Sequence, residues 1–408
     1  MDVLMSVHDH VLDFLINGLT GLSGWWMLGI ALLTTHITIA SVTIYLHRCM
    51  AHRALELHTL VSHFFRFWLW MTTGMVTKEW VAIHRKHHAK CETVDDPHSP
   101  VTRGIKTVLL RGSELYRAEA KVEETKQKYG HNCPDDWVER KLYSRFPILG
   151  VSITLILDVT LFGVGGLAVW ALQMAWIPVT AAGVINGIGH FWGYRNFEAA
   201  DASTNIVPWG ILIGGEELHN NHHTYPTSAK LSVKKYEFDI GWLYIRTLQV
   251  MGLAKVRKLP PQMVLGATQP APDARTLDAI VANRYELMAQ YAKTLRGTVS
   301  AELQHLREQG QQRTAAFAEL SLVKRWLHRD EDKIPTNVRP RLSSVLGSHR
   351  ELGILVSMRE ELRQLWTRTH VTRDQLVSDL QAWCSKAETS GIAALREFST
   401  RVRSLAPA

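Results

Sequence analysis

Histidines gather at four places in this chain, and the spacing within each group limits how the chain can fold. The chain has 20 histidines, and the groups are His47-Arg-Cys-Met-Ala-His52, His84-Arg-Lys-His87-His88, Asn186-Gly-Ile-Gly-His190 and His219-Asn-Asn-His222-His223. In the second and fourth groups, positions i, i+3 and i+4 fall on one face of a helix, so three imidazoles can converge on one point. The fold must therefore bring distant segments to a shared site.

Imidazole nitrogen binds iron, zinc and copper, so the number of donors has to discriminate among these metals. The four groups offer eight or nine ring donors, which is too many for one tetrahedral zinc ion but sufficient for two metal ions with open positions. Polar side chains beside membrane spans are costly and usually mark function. Because iron is the redox metal that activates O₂ in such sites, we predict two non-haem iron ions, with O₂ as co-substrate.

A first membrane helix is predicted over residues 25–46. About 22 apolar or small residues follow one another there without a charge, which is enough to cross ~30 Å of hydrocarbon. No Lys or Arg precedes Arg48, so the basic region of a secretory signal is missing and the segment is expected to be retained. The basic residues after it orient its C-terminal end toward the cytoplasm. Residues 11–23 are too short to span comfortably, and we expect an interfacial segment or part of a short first crossing.

The apolar stretch 146–191 is interrupted by Gly163, Gly165 and Gly166. These glycines divide it into two spans joined by a tight turn, and such a hairpin returns the chain to its starting face. His190 should therefore arrive on the same side as the earlier histidine groups.

The segment from Leu57 to Val76 is apolar but carries His58, His63 and Arg66. A single crossing there would place two histidine groups on opposite faces of the bilayer. We therefore predict an amphipathic helix that lies half sunk in the cytoplasmic interface.

The composition changes after residue 258, where Pro260, Pro261 and the PAPDA stretch indicate a linker. Residues from about 275 to 406 are rich in Ala, Leu, Glu, Gln and Arg with helical spacing, and Thr372 and Gln375 form a plausible capping box. We predict an all-α chain with a membrane-embedded di-iron domain (1–258), a linker (259–275) and a soluble helical extension (276–408).

The four cysteines form no CxxC pair, which argues against a zinc knuckle and a disulfide framework. The net charge of +8 is interpreted as basic cytoplasmic loops that face anionic lipid or an acyl-CoA headgroup. Nucleic acid is not expected as a partner.

The histidine groups resemble the boxes of membrane fatty acyl desaturases, in particular the bacterial type of the Δ9 acyl-CoA (stearoyl-CoA-like) branch. The first group resembles HRxxAHR, the second HRxHH, and HNNHHTYPTSAK is similar to the HNxHH box, while NGIGHFWGYR is similar to NxxxHxxGYR. The resemblance covers about residues 25 to 250. It implies an integral-membrane helical desaturase fold with these metal ligands, Asn186 acting through water: His47, His52, His84, His87, His88, His190, His219, His222, His223 and Asn186.

The resemblance also implies the reaction, the insertion of a cis double bond, Δ9 in this branch, into a long-chain acyl thioester or acyl lipid. It implies a multi-pass protein of the inner membrane whose histidine boxes lie on the cytoplasmic side. The chain has no GxGxxG fingerprint, no cysteine cluster for iron–sulfur and no HPGG haem segment. Electrons should therefore come from a separate ferredoxin, rubredoxin or cytochrome with its reductase.

Several residues outside the boxes receive their own interpretation. Trp80 and Trp192 are candidates for the wall of an acyl tunnel, although aromatic residues near an interface more often serve as anchors. Glu216 and Glu217 stand where animal relatives have other residues, and we expect an influence on the substrate headgroup. Packing or structural roles are expected for His36, His58, His63 and His98.

Two alternatives stay open. A membrane hydroxylase or ketolase with the same metal arrangement would keep oxygen in the product, although the HRxxAHR form of the first box argues against it. A regulatory or interaction protein would instead depend on the C-terminal helices, which weakly resemble the tail of certain bacterial insertion-sequence transposases.

Overall fold

The computed structural model of the protein describes residues 2–330, 333–368 and 370–407, with side chains from residue 7 onward. It contains two compact units, Met1–Pro260 and Pro261–Ala408. The boundary between them falls within the stretch 259–275, for which the sequence predicts a linker. Both units are mainly helical, in agreement with the predicted all-α class.

The first unit begins with α1 (Asp2–Asn17) and α2 (Gly24–Ser41), and α2 continues as a π-helix over Val42–Ala51. The continuous helix Gly24–Ala51 has 28 residues and is long and apolar enough to cross a membrane. It contains the predicted span 25–46.

A short strand, β1 (Leu55–Leu57), leads into α3 (Thr59–Thr73) and α4 (Thr77–Lys90). Helix α3 packs against α2. Arg66 of α3 is buried and forms ion pairs with Asp136 (2.6 Å) and Glu139 (2.9 Å). The charge of Arg66 is thus neutralised inside the protein, because a buried guanidinium needs a partner.

Three helices follow, α5 (Pro100–Arg103), α6 (Ile105–Ala120) and α7 (Glu123–Tyr129), and then a π-helical turn over Glu139–Tyr143. Helix α6 packs along the segment Pro178–Ile188. A Cβ added at Gly112 of α6 would lie 2.4 Å from the carbonyl oxygen of Ala182. Glycine is therefore required for this close approach.

The predicted hairpin is present as α8 (Pro147–Phe162) and α9 (Gly165–Ile177), and α9 continues as a π-helix over Pro178–Ile188. The turn between them contains Gly163 at φ 59°. Gly165–Ile188 is the second helix long and apolar enough to span, whereas α8 is apolar but has only 16 residues. The sequence predicts three membrane spans. By length and composition, two helices among the described residues qualify as candidate spans.

The remainder of the unit closes over the helix ends. It contains β2 (Trp209–Gly210), α10 (His219–Thr224), β3 (Phe238–Asp239), α11 (Ile240–Val250) and β4 (Ala254–Val256). Strand β2 pairs in parallel with β3, and β1 pairs antiparallel with β4 in the register Leu55↔Val256.

The second unit is a helical bundle closed by a small antiparallel ladder. Its elements are β5 (Val264–Leu265), α12 (Ala274–Ala282), α13 (Arg284–Glu308), α14 (Ala315–Val323), α15 (Arg339–Ser348), α16 (Arg350–Gln364), α17 (Arg373–Thr389), α18 (Ala393–Arg403) and β6 (Leu405–Ala406). Its core is built from leucines of successive helices, including Leu295, Leu355 and Leu380. The Thr372 hydroxyl accepts from the Gln375 backbone N–H at the start of α17, which is one half of the predicted capping box, while the Gln375 side chain donates to Asp379.

Candidate metal centre

The nine imidazoles predicted from the histidine boxes lie in two adjacent groups inside the first unit. Within each group, one ring nitrogen from every member lies within 4.8 Å of those of the others. We call these the five-histidine group (His47, His52, His84, His88 and His222) and the four-histidine group (His87, His190, His219 and His223).

The two groups share helices rather than taking one box each. In α4, His84 and His88 belong to the five-histidine group while His87 belongs to the other, and in α10 His219 and His223 join the four-histidine group while His222 does not. At about 100° per residue, positions i and i+4 project roughly 40° apart and position i+3 projects about 60° to the other side. The expectation that each triplet converges on one point is therefore wrong, because its members divide between two neighbouring points.

The π-helix Val42–Ala51 accommodates the HxxxxH spacing of the first box. Residues five apart in an α-helix would point about 140° away from each other. Here the His52 N–H donates to the His47 carbonyl oxygen at 3.0 Å, a bond that spans five residues. This wider turn brings both rings to the same face, with centroids 4.8 Å apart.

The distances between ring nitrogens fit a metal-binding arrangement. Nε2 atoms approach each other at 2.7 Å for His52 and His84, at 3.1 Å for His47 and His222, and at 2.9 Å for His88 and His222. In the four-histidine group, His190 and His219 approach at 3.0 Å. Two imidazoles bound side by side at about 2.1 Å from one metal ion would have nitrogens roughly 3 Å apart.

Several of the rings are prepared as neutral donors. Burial, reinforced by the neighbouring histidines, holds the pKa of His52, His84 and His222 well below the ordinary value. The same causes lower the pKa of His219 and His223. Neutral imidazole has a free lone pair, which metal binding requires.

Carboxylates lie behind four of the rings. His47 Nδ1 is 2.8 Å from Glu216 Oε1, His87 Nδ1 is 3.0 Å from Asp96 Oδ1, and His223 Nδ1 is 2.9 Å from Asp201 Oδ2. Glu92 Oε1 lies 3.5 Å from His190 Nδ1. A carboxylate at Nδ1 fixes the ring orientation and leaves Nε2 for a metal ion, as in metal sites generally.

None of these four carboxylates was predicted from the sequence as the partner of a ring. Asp96 lies two residues before His98, for which a structural role is expected, and it was not a candidate site residue. Glu216, for which an influence on the substrate headgroup is expected, is buried behind His47 and also lines the cavity beside the rings. Glu217 accepts hydrogen bonds from the backbone N–H groups of Ile213 and Gly215. A carboxylate close to a histidine box in the sequence is a signal for a ring partner, but only the fold shows which ring the carboxylate contacts.

An arginine inside the first box holds the site to the rest of the unit. The Arg48 guanidinium is 1% exposed and donates two hydrogen bonds to the Asp239 carboxylate, at 2.9 and 3.0 Å. It also donates to the carbonyl oxygens of Ala229 and Gly214. Such bidentate pairing fixes orientation as well as charge, so the first box is tied to the chain on both sides of the last one.

A cavity of about 980 Å³ opens onto the centre. Most of its wall is apolar, with Ile39, Val151 and Met174 among its residues, and His47, His84 and His219 also line it. An elongated apolar ligand in this cavity would lie against rings of both groups.

The other predicted site residues occupy different positions. Asn186 lines the cavity, and Trp80 lines it too while stacking on His84 at 4.9 Å with an interplanar angle of 10°. Trp192 is 67% exposed and is not among the residues lining the cavity. The sequence therefore placed one of the two tryptophans on the cavity wall.

The remaining histidines interpreted as structural lie mostly apart from both groups. His36 Nε2 lies 2.6 Å from the Tyr244 hydroxyl, and His58 caps α3 by accepting from the Leu60 backbone N–H. His98 lies beside the four-histidine group: its ring centroid is 4.4 Å from that of His87, and it lines the cavity.

Comparison with known proteins gives two family matches. The model of the family described as fatty acid desaturase matches residues 23–245, a range that contains all four histidine groups. The model of a family described as transposase matches residues 262–406, in agreement with the weak C-terminal resemblance.

Curated relatives match the first part of the chain. An sn-1 stearoyl-lipid 9-desaturase of Synechocystis sp. is 29% identical over 245 residues, which cover 59% of this chain and 74% of that protein. A protein of the same name from Anabaena variabilis is 28% identical over 242 residues (58% and 85%). An icosanoyl-CoA 5-desaturase of Limnanthes douglasii is 31% identical over 227 residues (55% and 62%).

Proposed function

Because this chain belongs to the fatty acid desaturase family, we propose that it inserts a cis double bond into a long acyl chain at a centre of two iron ions. The observation that carries this proposal is the arrangement of nine imidazoles in two adjacent groups beside an apolar cavity. The family match supports desaturation, and the imidazole groups support the metal assignment.

The donor set fits two iron ions with open positions. The nine residues named for the two groups would hold them, and Asn186, on the cavity wall, would reach the nearer ion through a water molecule. Bound iron would supply O₂ activation and the oxidation of an unactivated C–H bond, chemistry that amino-acid side chains lack.

The protein's own residues position the substrate and protect the site. Ile39, Val42 and Met174 offer apolar surface to a methylene chain, and the carbons at His47 and His219 would be the ones oxidised. The carboxylates of Asp96 and Asp201 hold the rings of His87 and His223, respectively, in a fixed orientation. The position of the double bond then depends on how far the chain enters the cavity.

Δ9 regiochemistry is part of the proposal, and its support is the names of relatives that act at this carbon. The acyl carrier is proposed to be a lipid or CoA, since relatives of both kinds match. We further propose a multi-pass inner-membrane protein with the boxes on the cytoplasmic side, because both candidate spans lead directly into a histidine group.

The test is expression of the full chain in a bacterial host that lacks desaturases, with double bonds located by mass spectrometry. We expect a cis alkene at carbon 9 with no retained oxygen. His222→Ala, which removes a ring from the five-histidine group, should abolish it, whereas His58→Ala, outside both groups, should not. A hydroxy or keto fatty acid would contradict desaturation and favour the hydroxylase or ketolase alternative.

A further inference from the structure

A cationic patch lies beside His52, and we propose that it is the docking surface for an acidic one-electron carrier protein. The inference rests on the proposed function, which needs two electrons from outside for each double bond. The patch contains five basic residues, with Glu56 among them: Arg53, Lys230, Lys255, Arg257 and Lys258.

Backbone hydrogen bonds bring three segments of the chain together in this patch. The Lys258 N–H donates to the Ala54 carbonyl oxygen at 3.3 Å, and the Ala229 N–H donates to the Lys258 carbonyl oxygen at 3.0 Å. Arg53 and Lys230 are the chain neighbours of these two alanines. Basic residues far apart in sequence therefore share one surface.

Most of the positive charge in the patch is uncompensated. Glu56 pairs with Arg257 and lies opposite Lys255 in the β1–β4 ladder. Arg53, Lys230 and Lys258 form no ion pair with any residue that the structure describes, and Arg53 and Lys258 are exposed. Such a surface attracts acidic proteins and increases their association rate.

The patch is one residue away from the metal-binding rings. Arg53 follows His52, whose Nε2 lies 2.7 Å from that of His84. A carrier seated on Arg53 would thus have a short path to the five-histidine group.

The electron balance is simple. Each docking event transfers one electron from the reduced carrier to the bound metal centre, and the carrier leaves oxidised. Two events supply two electrons, the acyl chain gives up two hydrogens with their electrons, and two protons come from solvent, so that one O₂ becomes two water molecules.

The experiment uses the full iron-loaded chain in detergent without acyl substrate, and a reduced acidic [2Fe–2S] ferredoxin as the probe. The triple variant Arg53→Glu, Lys230→Glu, Lys258→Glu reverses the charge of the patch. The matched control, Lys293→Glu, Arg296→Glu, Arg313→Glu, makes the same change at exposed residues of the second unit. Stopped-flow spectroscopy gives the second-order rate constant for reduction of the metal centre, and calorimetry on the zinc-loaded chain gives the ferredoxin Kd.

We expect the patch variant to lose about tenfold or more in the ferredoxin rate constant at low ionic strength, with a weaker Kd. The difference should shrink as salt is added, and reduction by dithionite should be unchanged. The control variant should behave like the wild type.

Equal ferredoxin constants for the patch and control variants would overturn the proposal. The proposal would also be overturned if the patch variant were impaired only in binding phosphatidylglycerol vesicles, because that result would assign the patch to anionic lipid. Failure of the desaturase proposal would be recognised separately, as a wild type that accepts electrons from ferredoxin but forms no alkene in the expression host.

Discussion

At the scale of single residues, the centre depends on pairs in which a carboxylate orients a ring. His223 shows this well, because its Nδ1 faces Asp201 while its Nε2, buried and without a hydrogen-bond partner among described residues, is free for a metal ion. Metal sites built this way lose affinity when the supporting carboxylate is changed, even though the ligand remains.

Asp201→Asn should therefore weaken iron binding by about 10-fold or more while the chain stays folded. The matched control is Asp95→Asn, since Asp95 is exposed and, among the described residues, pairs only with Lys90, at 3.6 Å. Iron affinity measured by competition with a chelator would check this. Equal affinities for the two variants would mean that Asp201 has no part in holding the metal.

The sequence was most informative for individual ligand candidates. Spacing and residue type identified all nine rings of the two histidine groups, because the spacing within a motif reflects the local backbone geometry. The partners of those rings were missed, because Asp96 and Asp201 meet His87 and His223 only through the folding of loops.

At the scale of elements, two π-helical extensions set the geometry. The extension of α2 aligns His47 with His52, and that of α9 carries Asn186 toward His190. The five-residue spacing of HxxxxH is the pattern that would have predicted the first of these. The π-helical extension of α9 packs against α6, and no local sequence pattern predicts that contact.

The contact between α6 and this second extension is tested by Gly112→Ala. The new Cβ would meet the Ala182 backbone oxygen at 2.4 Å, so the extension must move and cavity geometry near Asn186 must change. We expect a lower thermal midpoint and at least a severalfold loss of desaturation.

Gly297→Ala is its control, because Gly297 lies inside α13 with open space around it. There the substitution should stabilise the helix by up to about 1 kcal/mol. If both variants unfold at the wild-type temperature, the close contact at Gly112 does not matter for stability.

At the scale of the whole molecule, the chain combines two units with separate cores. Ile44, Leu46 and Leu69 belong to the core of the first unit, and Leu295 and Leu355 to that of the second. All predicted ligands lie in the first unit, and the family match ends at residue 245. The second unit matches a different family. It begins at Pro261, inside the stretch where prolines and a change of composition predict a linker.

A chain truncated after Pro260 should still desaturate, since its core and its candidate ligands are complete. We expect activity per folded molecule within about a factor of three of the full chain, measured as alkene formed per mole of bound iron. Loss of activity in a truncated chain that keeps its iron would mean that the second unit takes part in catalysis and would favour the regulatory alternative.

The central claim is that the two imidazole groups bind two iron ions, and metal stoichiometry tests it most directly. The full chain is loaded anaerobically with Fe(II), freed of excess metal and measured by mass spectrometry for metal and protein together. We expect about two iron ions per chain, falling clearly below two in His222→Ala. One metal ion per chain, or a preference for a single zinc ion, would contradict the account.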